Sequence, residues 1–292
     1  MPPTVEPACS AILDNLPTLP DLRPFPAVAT RVVAACQDPS TSSKDLVRII
    51  RCDPAIAARL LSVANSSMYG CSGRIRTVDH AVVVLGFRSV AQLALTAAGA
   101  ALFAQGTAAA RERAALWNHS LGVATVARLV AGHVPGLLAE EAFLAGIFHD
   151  VGKLFFYDLA HEQYAAVHQR VESSQESTGA SIVAEELNVF GITHPEVGQQ
   201  CGEAWGLTDE INLAIGYHHE PDEVPDYYEL VAVIRAADLL AYAWQIGSSC
   251  RAVDIGGARA LLEELDVSED VLEQVRAAAP EAFAEIRQAC SA

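Results

Sequence analysis

Ala142-Phe143-Leu144-Ala145-Gly146-Ile147-Phe148-His149-Asp150-Val151-Gly152-Lys153 begins as an apolar run without a charge and ends as a polar hexapeptide. A run of this kind predicts a buried helix whose last turn carries polar chemistry out of the core. Lys153 follows His149 by four residues and Asp150 by three, spacings that share a helical face. Gly152 removes a side chain, which would let another backbone or a ligand approach. An adjacent His and Asp at a helix end also occur as a cap or a surface pair, so the rest of the chain has to decide between the two.

Bulk composition narrows the options. The chain has 292 residues, 51% of them hydrophobic, and a mean hydropathy of +0.24, which excludes disorder and allows a large core. A net charge of -17 and a pI near 4.8 speak against nucleic acid as the partner, because phosphate backbones need clustered Lys and Arg. Lys44 and Lys153 are the only lysines, which makes Lys153 conspicuous beside the histidines. Seven cysteines, at 9, 36, 52, 71, 201, 250 and 290, form no CxxC pair and are odd in number, so free thiols in a reducing cytoplasm are expected. The first basic residue, Arg23, comes after a Pro-rich stretch that lacks the form of a signal peptide. Ala91 to Phe103 is too short for a bilayer, which takes about 20 residues, and predicts a core helix rather than a membrane span.

Period-two alternation is nearly absent, so an all-α fold is expected. Residues 1–16 form a Pro-rich arm with room for a short helix around Ala11 to Leu16. Residues 17–110 are read as an N-terminal helical lobe. In it, Asp53-Pro54 caps a helix running to Asn65, Thr77 caps Val78 to Leu85, and Gly86 separates that piece from an Ala-rich helix reaching Gln105. Both of the latter are expected to be buried, although Val82-Val83-Val84 also suits a strand. The small, polar segment Gly106 to Arg113 marks the boundary with a second lobe over 111–292. Helices are expected there near 112–131, 139–157, 161–171, 176–188, 195–205, 208–218, 227–246, 257–265 and 269–289.

Further candidates are scattered over that lobe. His119 lies in an amphipathic helix, and His194 follows Thr193 in a Thr-x-x-Glu capping box ending at Glu196. His218-His219 closes a helix, where the dipole favours histidine in any case. Asp238 sits in a largely apolar helix and needs a cation or several donors, either a metal or groups of the His149-Asp150 turn. Imidazoles and carboxylates together suit a divalent ion such as Zn, Fe or Mn, and ligands distant in sequence can meet in a helical bundle.

The order His119, His149-Asp150, His194, His218-His219, Asp238 resembles the HD superfamily of metal-dependent phosphohydrolases. That resemblance implies His119, His149, Asp150 and Asp238 as primary ligands of a divalent metal (Fe, Mn, Zn or Mg). It further implies His194, His218 and His219 at a second metal position, and catalytic roles for Asp150 and for Lys153, which would contact phosphate. Leu19-Pro20, Phe25-Pro26, Asp53-Pro54 through Ala64-Asn65-Ser66, and Ala81-Val82-Val83-Val84-Leu85-Gly86 resemble the HDOD domain, an HD-related output domain of bacterial signalling proteins. The likeness spans about residues 17 to 245 and implies a helical N-terminal bundle packed on an HD-type lobe. It also implies a cytoplasmic regulatory module that contacts signalling proteins, with a metal-dependent phosphohydrolase acting on a nucleotide or phosphate ester as the alternative. The related HD-GYP phosphodiesterases carry Gly-Tyr-Pro after the paired histidines. Here Glu220-Pro221-Asp222-Glu223-Val224-Pro225-Asp226 has no glycine, which weakens an expectation of cyclic-di-GMP hydrolysis.

Overall fold

The structure, a computed structural model, describes residues 24–66, 69–70, 73–104, 109–173, 179–248 and 254–291. The Pro-rich arm, the short helix expected in it and part of the expected lobe boundary lie outside the described residues. Among those described there is no strand.

Helices α1 (Ala27–Gln37), α2 (Ser43–Ile50), α3 (Pro54–Ala64) and α4 (Val78–Ala104) build the N-terminal bundle, with α1, α2 and α3 each packed on α4. Local chemistry sets the starts. Asp53 accepts from the backbone N–H groups of Ala55 (2.9 Å) and Ile56 (3.1 Å), with Pro54 in the first turn of α3. Thr77 Oγ1 accepts from His80 N–H at 3.1 Å to open α4. Gly86, at φ 84° and ψ 168°, kinks α4 through a conformation that a Cβ would strain. The Asn65 side chain binds both the N–H (3.0 Å) and the carbonyl (2.8 Å) of Ile75 and so closes the loop before α4.

By length and composition α4 could cross a membrane, but more than half of its apolar window is buried in the bundle, as in a core helix. Its first part corrects the expectation of burial: Val83 is 82% and Val84 49% exposed, although the segment is helical rather than a strand. Three consecutive valines cannot share one helical face, so only Val82 reaches the core.

The second lobe is arranged around α5 (Ala110–Ala131), which packs on α4 and on α6 (Ala139–Phe148). There follow α7 (Lys153–Leu159), α8 (His161–Ser173), α9 (Gly179–Phe190), α10 (His194–Ala204), α11 (Asp209–Tyr217), a 3₁₀ turn at Pro221–Glu223, α12 (Tyr228–Ala243), α13 (Gly256–Glu264) and α14 (Glu269–Ser291). Leu121, Val123, Ala124, Val126 and Ala127 are fully buried, so α5 is covered nearly all round, with α12 and α14 as further partners. The last helix, α14, contacts both α3 and α5 and so joins the lobes. Phe25 adds a second tie, stacking on Trp205 at 5.1 Å and meeting the edge of Phe148 at 5.9 Å, one residue before His149.

The helix expected over 139–157 is broken in the structure. After Phe148 the backbone tightens to i→i+3 bonds, Val151 N–H to Phe148 O (2.9 Å), Lys153 N–H to Asp150 O (3.0 Å) and Leu154 N–H to Val151 O (3.1 Å). Side chains three apart eclipse in such a turn, which places Lys153 over Asp150. Gly152 is the point of close approach: a Cβ there would lie 2.0 Å from the His194 carbonyl oxygen and 2.8 Å from Gly198 N. The missing side chain thus brings the start of α10 against the His149-Asp150 turn.

Candidate metal centre

Five separate segments place their polar residues around Asp150. His119 comes from the middle of α5, His149 caps the end of α6, and Asp150 follows it in the tight turn. His194 is the first residue of α10, fixed by the capping box in which Thr193 N–H donates to Glu196 Oε2 at 2.8 Å. His218 caps α11 and Asp238 lies in α12. None of these ligand candidates is more than 5% exposed, and His219 is half-buried.

The donors fall into two groups, His119, His149 and Asp238 in one and Asp150, His194, His218 and His219 in the other, with the ligand atoms of each within 4.8 Å of one another. Asp150 links them. Its Oδ2 lies 3.4 Å from His149 Nε2 and 3.7 Å from His119 Nε2, while Oδ1 lies 3.1 Å from His194 Nε2 and 3.7 Å from His218 Nε2. Lys153 Nζ donates to Oδ2 at 2.7 Å.

Tautomers follow from the outer partners. His149 Nδ1 lies 2.8 Å from the Gly146 carbonyl, His218 Nδ1 2.9 Å from the Ile215 carbonyl, and His194 Nδ1 2.7 Å from Glu186 Oε2. Oxygens of these kinds only accept, so each Nδ1 carries a proton and each ring turns its Nε2 inward; burial disfavours the charged form of His194, but the Glu186 and Asp150 carboxylates on its two edges outweigh that and raise it. Among the described residues, His149 Nε2 and Asp150 Oδ1 are buried without a hydrogen-bond partner, and His119 Nε2 faces the Asp238 carboxylate at 3.0 Å. Lone pairs and carboxylate oxygens crowded together in a buried space leave room for one kind of guest, a cation. The donor set therefore fits a divalent metal.

Charges in the site are mutually dependent. Burial alone would raise the Asp150 carboxyl, but the Lys153 ammonium and the His149 ring outweigh it and hold it well below the usual carboxylate range. Asp238 is likewise lowered, burial being overcome by His119 first and then by His149 and Arg235. His119 Nε2 lies 3.0 Å from Asp238 Oδ1, and Arg235 donates to Asp238 Oδ2 at 3.5 Å. The groups in reach of Asp238 are thus His119 from α5 and Arg235 from its own helix, while His149 of the turn acts on it through charge and belongs to the same donor group. Burial pushes the His218 ring down to about 4, which favours the neutral form a metal needs.

The family model for the HDOD domain matches residues 22–221, more than half of the chain. The chain belongs to the HDOD family. A solved HDOD domain protein of unknown function from Geobacter sulfurreducens shares its fold at a TM-score of 0.72 and 26% identity, over 96% of this chain and 99% of that one. A candidate metal-dependent phosphohydrolase from Shewanella amazonensis gives a TM-score of 0.67 at 21% identity, over 97% of each chain, a likeness that shows the fold alone. An uncharacterized protein of Treponema pallidum is 24% identical over 232 residues, 79% of this chain and 43% of that protein, so the HDOD chain spans less than half of this relative.

Two residues of this HDOD site were absent from the sequence reading. Glu186, fully buried in α9, accepts from His194 N–H (2.8 Å) and from Tyr164 O–H (2.7 Å) as well as from His194 Nδ1. Its signal was present in Val183-Ala184-Glu185-Glu186-Leu187-Asn188-Val189-Phe190, where helical spacing puts Glu186 on the face of Ile182 and Phe190. Arg235 donates to His219 Nδ1 at 3.2 Å, and lies one turn before Asp238.

Proposed function

We propose that this HDOD chain is a signal-transduction module that holds a divalent metal around Asp150 and acts through protein partners rather than by turnover. The observation that carries the reading is a donor set that is complete and nearly closed: seven ligand candidates meet, and all but the half-buried His219 expose no more than 5% of their surface. His119, His149, Asp238 and Asp150 would hold one ion, and His194 and His218 with the other oxygen of Asp150 a second. Imidazole and carboxylate donors favour Fe, Mn or Zn over Mg. Because the ligands come from α5, the α6–α7 turn, α10, α11 and α12, metal uptake would stabilise the folded lobe, which couples occupancy to the surfaces offered to partners. Free thiols at Cys36, Cys52, Cys201 and Cys290 agree with a cytoplasmic setting.

A phosphohydrolase is the second reading, favoured by the buried Lys153 and by the way Asp150 faces both donor groups. A bound ion would supply hydroxide at neutral pH and neutralise phosphoryl oxygens, while Lys153 would add a positive charge. The acidic stretch Glu220, Asp222, Glu223 and Asp226 opposes a phosphodiester near the paired histidines. Incubation of the metal-loaded chain with cyclic-di-GMP and a nucleotide panel separates the readings. No hydrolysis is expected; metal-dependent hydrolysis abolished by a His149→Ala, Asp150→Ala double substitution would replace the regulatory reading with the enzymatic one.

A further inference from the structure

His119 is held differently from His149 and His218. Those two cap the ends of α6 and α11, where last-turn carbonyls have no partner in the helix ladder, and their Nδ1 atoms reach Gly146 O and Ile215 O. His119 lies in the middle of α5, where the ladder engages the carbonyls of its own helix, so an acceptor for its ring has to come from elsewhere. Ser248 supplies one: its Oγ lies 3.0 Å from His119 Nδ1, across 129 positions of chain.

The segment that ends α12 delivers this serine. Gln245 adopts φ 58°, with Gln245 N–H bonded to Tyr242 O at 3.2 Å and Ile246 N–H to Ala241 O at 2.9 Å, the paired bonds that close a helix on a left-handed residue. The chain then turns back onto α5 at a distance that only glycine allows. A Cβ on Gly247 would lie 2.1 Å from Asn118 O, and one on Gly122 would lie 2.1 Å from Ile246 O, so backbone meets backbone on either side of His119. Tyr242 covers the ring, with centroids 4.4 Å apart. One stretch of chain thus reaches both ring nitrogens, Asp238 Oδ1 at 3.0 Å from Nε2 and Ser248 Oγ at 3.0 Å from Nδ1. A metal at Nε2 needs a lone pair there, which leaves the ring proton on Nδ1 in need of an acceptor. A hydroxyl both donates and accepts, so the contact suits the ring with or without an ion. We propose that Ser248 is a positioning residue of the metal centre, accepting from His119 Nδ1–H so that Nε2 is aimed at the ion, and that the Gly122–Gly247 contact seats it there. This rests on the metal reading of the site.

Cobalt(II) affinity of the full chain, measured by competition with a chelating dye, tests this beside the melting temperature of each metal-free chain. Ser248→Ala should weaken cobalt about 10- to 100-fold while melting with the wild type when metal-free. Ser248→Thr, which keeps the Oγ, should bind cobalt as the wild type does. Gly247→Ala keeps the serine but unseats the segment, and should weaken cobalt as Ser248→Ala does. Wild-type cobalt affinity in Ser248→Ala, or a Ser248→Thr chain as weak as Ser248→Ala, would overturn the proposal, and wild-type affinity in Gly247→Ala would overturn the seating. A wild type that takes up no cobalt would refute the metal reading and the role of Ser248 with it, whereas a wild type that binds cobalt without regard to Ser248 would refute that role alone.

Discussion

Replacing Gly152 by Ala probes the contact that assembles the metal centre. The new Cβ would sit 2.0 Å from the His194 carbonyl oxygen, 2.8 Å from Gly198 N and 2.9 Å from the His194 carbonyl carbon. All three are backbone atoms, so no rotamer change relieves the clash, and α10 has to retreat by about 1.4 Å to reach ordinary contact. Overpacking of this kind costs about 3 kcal/mol at the upper end of its usual range. For a chain of this size that is a fall in Tm of about 5 °C. The same retreat pulls His194 Nε2 away from Asp150 Oδ1, now 3.1 Å apart, so metal affinity should fall as well. Thermal denaturation followed by circular dichroism, with elemental analysis of the same samples, reads both effects. Gly132→Ala is the control, since its Cβ would meet nothing closer than 3.5 Å in a right-handed helical conformation. A Gly152→Ala chain that melts with the wild type and keeps its metal would refute the reasoning.

Asp238→Ala should lower Tm and metal content together, because it leaves Arg235 without its carboxylate in a partly buried place, at a cost of about 3 kcal/mol. Unchanged Tm and metal content in calorimetry and elemental analysis would remove Asp238 from the site. Glu186→Ala should strand the donors of His194 and Tyr164 and weaken metal binding about 10- to 100-fold, read by competition with a chelating dye, whereas Tyr164→Phe should leave the metal in place. Stability should also fall in mild acid. Burial lowers the His168 ring to about 4, so between pH 6.5 and 4 the unfolded chain binds a proton that the folded chain refuses. The contribution of His168 is complete above pH 6.5 and decreases by about 1.4 kcal/mol per pH unit at most as pH falls to 4, so His168→Gln should flatten the urea-midpoint profile in that window.

Much of this architecture can be read in advance because it is encoded locally. Asp53-Pro54, Thr77 and Thr193-His194-Pro195-Glu196 specify helix starts through hydrogen bonds within three residues, and the structure contains them. Gly86 likewise announces the kink in α4. Features that depend on distant partners are less legible. The break after Phe148 arises because Gly152 meets the backbone of His194, forty-two positions away, which no local pattern contains. Val83 and Val84 have the hydrophobicity of core residues but face outward, since the helix phase is set by Val78, Ala81 and Val82 packing in the bundle. Glu186 and Arg235 are ordinary charged helix residues until the fold brings them against His194 and His219.

The central claim is that the residues around Asp150 bind a divalent metal. Elemental analysis of the full chain purified without chelator, beside the His149→Ala, Asp150→Ala double variant, tests it most directly. The account predicts stoichiometric divalent metal in the wild type and none in the variant. A folded wild-type chain that contains no metal and takes up none from added manganese, iron or zinc would contradict it.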